Sequence, residues 1–294
     1  MVSLPSVAVI GAGAGGLAAG RSFLKRGVNV TIFEASHHVG GIWRYEGDPA
    51  RPMYKNLRTN IPKEIMGFRE FPFLSDAIAD SYVGHERVQA YLEEYTNHFD
   101  LRKHIKFSSP VLDVSYLRAA ADTGVDADAE ADGDGDGDAH TRTNRKFKVT
   151  YDSPSTYSTF DLVIVCSGHF SVPNLPRLDN LEKFRGRVMH SVEYDSSEDF
   201  VGEKKSVLCI GGSASGSDIA KEISAVAPCF LSMGGGNPKA LTGKKNIITV
   251  PRTTRISDDG KSVNFEDTEY EIKTDEISTI VFCTGFEVRE FLNM

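Results

Sequence analysis

The residues best placed to do chemistry are glycines. Gly11, Gly13 and Gly16 form GxGxxG directly after the apolar run Val7 to Ile10, and Glu34 closes a second apolar run 23 residues after Gly11. Strand, glycine turn, helix and second strand let backbone approach a pyrophosphate. The helix N-terminus attracts the phosphate charge, and an acid at the end of the second strand accepts a ribose diol. A second unit follows Ser206 to Ile210. It reads Gly211-Gly212-Ser213-Ala214-Ser215-Gly216, with glycine at positions one and six and Ser213 where the middle glycine usually stands. Two dinucleotide sites in one chain point to a flavin reduced by a nicotinamide. The second unit's strand ends at Ser232-Met233 without an acid. That removes the usual repulsion of a 2′-phosphate and favours NADPH. No arginine takes the acid's place, and Lys239, Lys244 and Lys245 are read as ordinary surface lysines.

The elements that must position these loops are legible as periodicity. Leu17, Phe23 and Leu24 recur at helical spacing, and Gly27 closes that helix before the strand Val28 to Phe33. Strands apolar on both faces imply a parallel sheet covered on both sides. A second helix is predicted near 87–99, with Val88, Tyr91, Leu92 and Tyr95 on one face. Val111 to Tyr116 alternates, as do Phe147, Val149 and Tyr151, which predicts a hairpin. Further buried strands are expected at 161–168, 206–210, 229–232 and 279–283, with a helix from the second glycine loop to about Ala225.

The predicted hairpin is interrupted by residues 118–145, an acidic low-complexity insertion expected to be disordered because it has too few apolar residues to fold. Asp132, Asp134, Asp136 and Gly137 match the start of a calcium loop, but position twelve is Thr143, where a bidentate Glu is required. The stretch is therefore read as solvated, and no metal site is expected. The chain of 294 residues has a formal charge of −8, and eight acids between Asp122 and Asp138 account for it, since the remainder balances at 33 of each sign. A neutral body excludes a polyanion such as nucleic acid as the expected partner. The four cysteines, Cys166, Cys209, Cys229 and Cys283, form no CxxC pair, which excludes a disulfide framework, a zinc ribbon and a dithiol reductase. Three lie in apolar runs and read as buried, inert thiols. No apolar run reaches about 18 residues, so no membrane span is expected. A core strand beginning at Ser6 leaves no room for a signal peptide, so the expected location is cytoplasmic.

Beyond the loops, the chain resembles the flavin-containing monooxygenases, nearly throughout except for the insertion. Gly40-Gly41-Ile42-Trp43 is similar to that family's GGxW, and the segment from Met53 to Phe73 resembles its plant S-oxygenating and fungal branches. Phe184, Gly186, His190 and Tyr194 fit FxGxxxHxxxY. Val165 to Gly168 and Phe282 to Gly285 resemble its two crossings between cofactor domains. The resemblance implies an α/β fold of two Rossmann-like dinucleotide-binding domains, with the NADP domain inserted in the FAD domain. The FAD domain is expected at 1–168, the NADP domain at 169–277, and a return to the FAD domain at 278–294. FAD is expected on Gly11, Gly13, Gly16, Glu34, Gly41, Trp43 and the backbone at Val111. NADPH is expected on Gly211, Ser213, Ser215 and Gly216, with Thr284 and Gly285 at the crossing.

The implied activity is oxygenation of a sulfide or amine by O₂ through a C4a-hydroperoxyflavin, with Asn60 as the catalytic amide facing that centre. His190 is read as structural. Baeyer–Villiger chemistry stays open, because Asp195 follows Tyr194 as it often does in that branch. A homodimer is also left open. The chain stops nine residues past Gly285, where the resembled family continues. The expectation is therefore a C-terminally truncated chain, with an inactive nucleotide-binding fragment as the further alternative.

Overall fold

A computed structural model describes residues 4–48, 51–73, 80–117, 146–234 and 246–288. The acidic insertion and the three lysines at 239, 244 and 245 lie outside the described residues. The chain divides into two units. The first holds residues 1–41 and 89–168 with 290–294, and the second holds 42–88 and 169–289. The described α-helices are α1 (Ala14–Leu24), α2 (Lys63–Met66), α3 (His85–His98) and α4 (Ala214–Ile223).

The first unit opens with β1 (Ser6–Ile10), α1 and β2 (Asn29–Phe33), followed by β3 (Ile105–Lys106). It continues with β4 (Val111–Leu117), β5 (Lys146–Tyr151), β6 (Tyr157–Phe160) and β7 (Leu162–Val165). One parallel sheet has the order β3-β2-β1-β7, with Val9 opposite Ile32 on one side and Ile164 on the other. The predicted hairpin is present as β4 and β5, antiparallel with Tyr116 opposite Phe147. β6 extends it into a three-stranded sheet that periodicity did not reveal. Ala8, Ile10 and Phe33 pack against Val114, Val149, Tyr151 and Phe160, and the Phe33 and Tyr151 rings lie 4.8 Å apart. The parallel sheet is thus covered by the second sheet on one face, as its two-sided apolar strands require.

The second unit holds β8 (Arg187–His190), β9 (Ser206–Ile210), α4, β10 (Cys229–Ser232) and β11 (Ile247–Val250). Then come β12 (Thr253–Ile256), β13 (Ser262–Phe265), β14 (Glu271–Lys273) and β15 (Ile277–Phe282). Its parallel sheet has the order β11-β10-β9-β15-β8. Alternate residues feed two cores. Val207, Cys209, Leu231 and Val281 meet Ile219, Ala220 and Ile223 of α4 on one face. Leu208, Ile210, Phe230, Ile280 and Phe282 meet Ile256, Val263, Phe265 and Ile272 of the β12-β13-β14 meander on the other. Cys209, Cys229 and Cys283 are buried in this unit, as their apolar settings suggested.

Two boundaries differ from expectation. The strand expected to return to the first domain at 278 is β15, and it lies between β9 and β8, with Ile280 opposite both Leu208 and Val188. Ile277, Ile280, Val281 and Phe282 are buried on both faces, so this strand needs an interior position, and the place beside β9 supplies it. Residues 42–88, expected within 1–168, group with the second unit. The anchor is Tyr54, buried in the core that contains Met189, Tyr194 and Phe200, with its ring 5.5 Å from that of Tyr194.

Candidate dinucleotide sites

In the first unit the glycine loop leaves β1 at Ile10. Gly11 has φ +100°, and a Cβ there would lie 2.5 Å from the Cys166 carbonyl oxygen. A Cβ at Gly16 would lie 1.8 Å from the Gly11 carbonyl oxygen. Turn geometry and close helix–strand packing therefore demand glycine at both positions. Gly13 is different. Its nearest neighbour to an added Cβ is Gly41 Cα at 3.6 Å, so nothing among the described residues requires glycine there. Gly13 is also the N-cap of α1, whose first turn holds no acid. The N-terminus of α1 thus offers uncapped backbone N–H groups and a positive dipole end.

Glu34, one residue past β2, is set by its own loop. Its Oε2 accepts the Ala12 N–H at 2.7 Å, and Oε1 accepts the Ser36 N–H and hydroxyl at 2.9 and 2.8 Å. A carboxylate oxygen has lone pairs to spare after these bonds, so the group is oriented and still able to accept from a diol. Gly40 donates its N–H to Ala12 at 3.0 Å, which sets Gly41 opposite Gly13. Ser109 donates its N–H to the Glu34 carbonyl at 2.8 Å, which places Val111 near the exit of β2. The structure thus brings together Gly11, Gly13, Gly16, Glu34, Gly41 and Val111. Trp43 is half-buried at the start of the second unit. Sequence reasoning missed Gln89. Its Nε2 donates to the Val39 carbonyl at 2.9 Å, while Oε1 is buried with no partner among the described residues. A buried acceptor behind Gly40 had no signal in the sequence.

The second unit repeats the construction. Gly211 has φ +109°, an added Cβ would lie 2.5 Å from the Cys283 carbonyl oxygen, and one at Gly216 would lie 1.7 Å from the Gly211 carbonyl oxygen. Ser213 is the N-cap of α4, yet its hydroxyl makes no capping bond. Ser213 and Ser215 are exposed at the mouth of a cavity of about 600 Å³. Its wall combines the loop 211–215 and Thr284-Gly285 with Tyr54, Leu57, Phe170 and Phe286. A polar phosphate cradle beside an apolar wall suits a nucleotide that carries a flat aromatic ring.

The family-motif residues around this cavity are structural supports. His190 holds Gly285: its Nε2 donates to the Gly285 carbonyl at 3.0 Å, and its Nδ1 accepts the Val192 N–H at 3.2 Å. Burial pulls its pKa below the ordinary value, so the imidazole is neutral with both nitrogens engaged. Tyr194 is buried and donates its hydroxyl to Glu222, and burial followed by that carboxylate pushes its pKa up. Thr284 donates its hydroxyl to the Asn174 carbonyl, and Asn174 returns its N–H to Gly285 at 3.0 Å. Asn60 is exposed and is not part of the cavity wall. The backbone before it is tied down by Thr59 and Val83 at 2.8 Å.

One reading is corrected. Sequence inspection found no arginine in place of the acid missing after β10, but the Arg252 guanidinium packs on Gly234, two residues past that strand. Arg252 is far from β10 in sequence and arrives through the pairing of β11 with β10. Among the described residues no group of three His, Cys, Asp or Glu side chains could hold a metal. No described helix is long and apolar enough to cross a membrane.

Two parallel-sheet units, each with an open glycine loop at a helix N-terminus, define a two-dinucleotide α/β protein. Residues 5–238 match the flavin-binding monooxygenase-like family. A flavin-containing monooxygenase of Arabidopsis thaliana, FMO GS-OX4, is 32% identical over 306 aligned positions, covering 96% of this chain and 60% of that protein. The human dimethylaniline monooxygenase [N-oxide-forming] 4 is 36% identical over 230 positions, covering 76% of this chain and 37% of its own. The solved S-allyl-L-cysteine S-oxygenase of Allium sativum superposes with a TM-score of 0.80 at 27% identity, over 99% of this chain and 65% of that one. The chain belongs to the flavin-binding monooxygenase-like family, and it spans about 60% of the length of the plant relatives it matches.

Proposed function

We propose that the protein is an FAD- and NADPH-dependent monooxygenase that oxygenates soft nucleophilic sulfur or nitrogen. The observation that carries this reading is the paired construction. Both loops keep the glycines that the fold needs, and both place at the helix N-cap, Gly13 or Ser213, a residue whose side chain makes no capping bond and leaves the first N–H groups of the helix open. Gly11, Gly13, Gly16 and Gly41 would hold the FAD pyrophosphate, Glu34 its ribose, and the Val111 backbone its adenine. Gly211, Ser213, Ser215 and Gly216 would hold the NADPH pyrophosphate. When bound, the nicotinamide supplies a hydride and the flavin the means to activate O₂. One oxygen atom goes to the substrate and the other leaves as water.

The chain's own residues bind, orient and exclude water. Thr284 and Gly285, braced by Asn174 and His190, shape the cavity floor next to the loop. Tyr54, Leu57, Phe170 and Phe286 present an apolar wall that keeps water from it. Among the described lining residues the titratable side chains are Tyr54 and Cys283, and burial raises the Tyr54 pKa, which suits a wall and not a base. Asn60 and Trp43 are assigned to the flavin side, an assignment that rests on the motif resemblance. Sulfur or nitrogen as the target atom is supported by relatives named as S-oxygenase and N-oxide-forming monooxygenase.

The test is the absorption spectrum of purified protein supplied with FAD, recorded with and without NADPH in air, together with product analysis on a thioether, a tertiary amine and a cyclic ketone. Retained flavin bands, bleaching by NADPH and a sulfoxide or N-oxide product are expected. Failure to retain flavin, or lactone formation without S- or N-oxide, would overturn the reading.

A further inference from the structure

We infer that Arg252 is the residue that recognises the 2′-phosphate of the nicotinamide dinucleotide. The inference rests on the dinucleotide reading of the second unit and goes beyond it. Backbone hydrogen bonds align the two units residue by residue. In the first, Gly11 donates its N–H to Phe33 at 2.7 Å, and in the second Gly211 donates its N–H to Ser232 at 2.9 Å. Cys166 donates to Ile10 and Cys283 to Ile210, both at 2.8 Å. Glu34 donates to Lys106 at 2.9 Å and Met233 to Val250 at 3.1 Å. Glu34, whose carboxylate reaches back to Ala12, thus corresponds to Met233, which has no charge and no hydrogen-bonding group fit for a ribose diol.

The residue after Met233 is Gly234, and the Arg252 guanidinium lies directly on it. A Cβ at Gly234 would be 2.5 Å from Nη2 and 2.6 Å from Nε. Glycine at this position is what lets the guanidinium settle beside the end of β10. In this fold the substituent on the adenosine 2′-oxygen sits at that place. The arginine is carried there by β11, whose Val250 accepts from Met233, two residues before Arg252. Its side chain is 62% exposed, and among the described residues its one ion pair is a loose one, Nε to Glu266 Oε2 at 3.6 Å. A phosphate dianion matches the guanidinium fork better than a solvent-exposed carboxylate at that distance. Glu266 is held close because its N–H donates to the Arg252 carbonyl at 2.8 Å. It therefore acts against the phosphate, by competing for the guanidinium and by like charge.

The experiment is calorimetric titration of the full chain, saturated with FAD, with NADP⁺ and with NAD⁺, which differ only in the 2′-phosphate. The parent protein is expected to bind NADP⁺ about 10- to 100-fold more tightly, the range of one charge-assisted hydrogen bond. R252A is expected to bring the two affinities within about threefold by weakening NADP⁺ alone, and R252K to keep part of the preference. E266Q is expected to tighten NADP⁺ and leave NAD⁺ unchanged. Because Arg252 is exposed, circular dichroism of R252A should match the parent. An unchanged ratio in R252A, or a parent protein that binds both ligands equally or prefers NAD⁺, overturns the inference while the dinucleotide site stands. Binding of neither ligand overturns the dinucleotide reading, and the inference with it.

Discussion

Alanine at Gly13 and alanine at Gly16 should have opposite consequences, although both glycines belong to one loop. At Gly16 the new Cβ would lie 1.8 Å from the Gly11 carbonyl oxygen and 2.9 Å from its carbon. Ordinary carbon–oxygen contact is about 3.3 Å, so some 1.5 Å of overlap must be relieved, and the obstructing atoms belong to the Gly11 backbone. Overpacking of this kind costs about 3 kcal/mol or more, which lowers Tm by roughly 6–12 °C at this chain size. At Gly13 the nearest contact is 3.6 Å, and the backbone, with φ −72° and ψ −177°, is open to any residue. Alanine gains about 0.4–1 kcal/mol by restricting the unfolded chain and loses a similar amount as a poorer N-cap, so stability should stay within about 1 kcal/mol. Its methyl group, however, occupies the space in front of the helix N-terminus. If FAD pyrophosphate belongs there, the loss of one charge-assisted hydrogen bond weakens binding by about 10- to 100-fold. Thermal unfolding of the flavin-free proteins and titration with FAD by flavin fluorescence measure both effects. A Gly13→Ala protein as destabilised as Gly16→Ala, or one that binds FAD like the parent, would refute the reasoning.

The remaining expectations are briefer. Asn60→Ala, an exposed change, should shift stability by no more than about 0.5 kcal/mol, yet divert NADPH oxidation toward H₂O₂ at the expense of oxygenated product; peroxide and product assays with unchanged coupling would remove Asn60 from the site. Burial holds the His190 pKa below its unfolded value near 6.5, so the unfolded chain binds the extra proton. The neutral ring's contribution is complete above about pH 6.5 and is lost as pH falls below it toward the folded value; urea midpoints between pH 7.5 and 5 should fall less steeply in His190→Gln, and an identical slope would count against this. Cys209, Cys229 and Cys283 are buried, Cys209 Sγ lies 3.9 Å from Cys229 Sγ, and burial raises the pKa of the half-buried Cys166. A thiol reagent at pH 8 should therefore label at most Cys166 in the native protein and all four cysteines in denaturant; rapid labelling of the native core would contradict the packing.

The glycine loops were legible in the sequence because their constraints are short-range. Gly11 and Gly16 meet each other five residues apart, and the φ of +100° at Gly11, with carbonyl oxygen where a Cβ would stand, leaves its mark as glycine in the sequence. The apolar runs that became β1, β2, β9 and β10 were legible for the same reason, since burial on both faces is a property of the strand itself. Even the β4–β5 hairpin could be found across its insertion, because both partners alternate. What the sequence could not decide was pairing. β15 reads as a buried strand in either unit, and only its register against Leu208 and Val188 assigns it to the second. Residues 53–57 carry a family-like motif, but only the packing of Tyr54 on Tyr194 shows which core they join. Arg252 is the sharpest case. It stands 18 residues from Gly234 in the chain and touches it in the fold, because β11 pairs with β10 and brings its exit beside that strand's end. Hydrogen-bonded register between distant strands depends on the whole sheet, so no local window of residues encodes it, and the tertiary structure alone put a cation where the acid is missing.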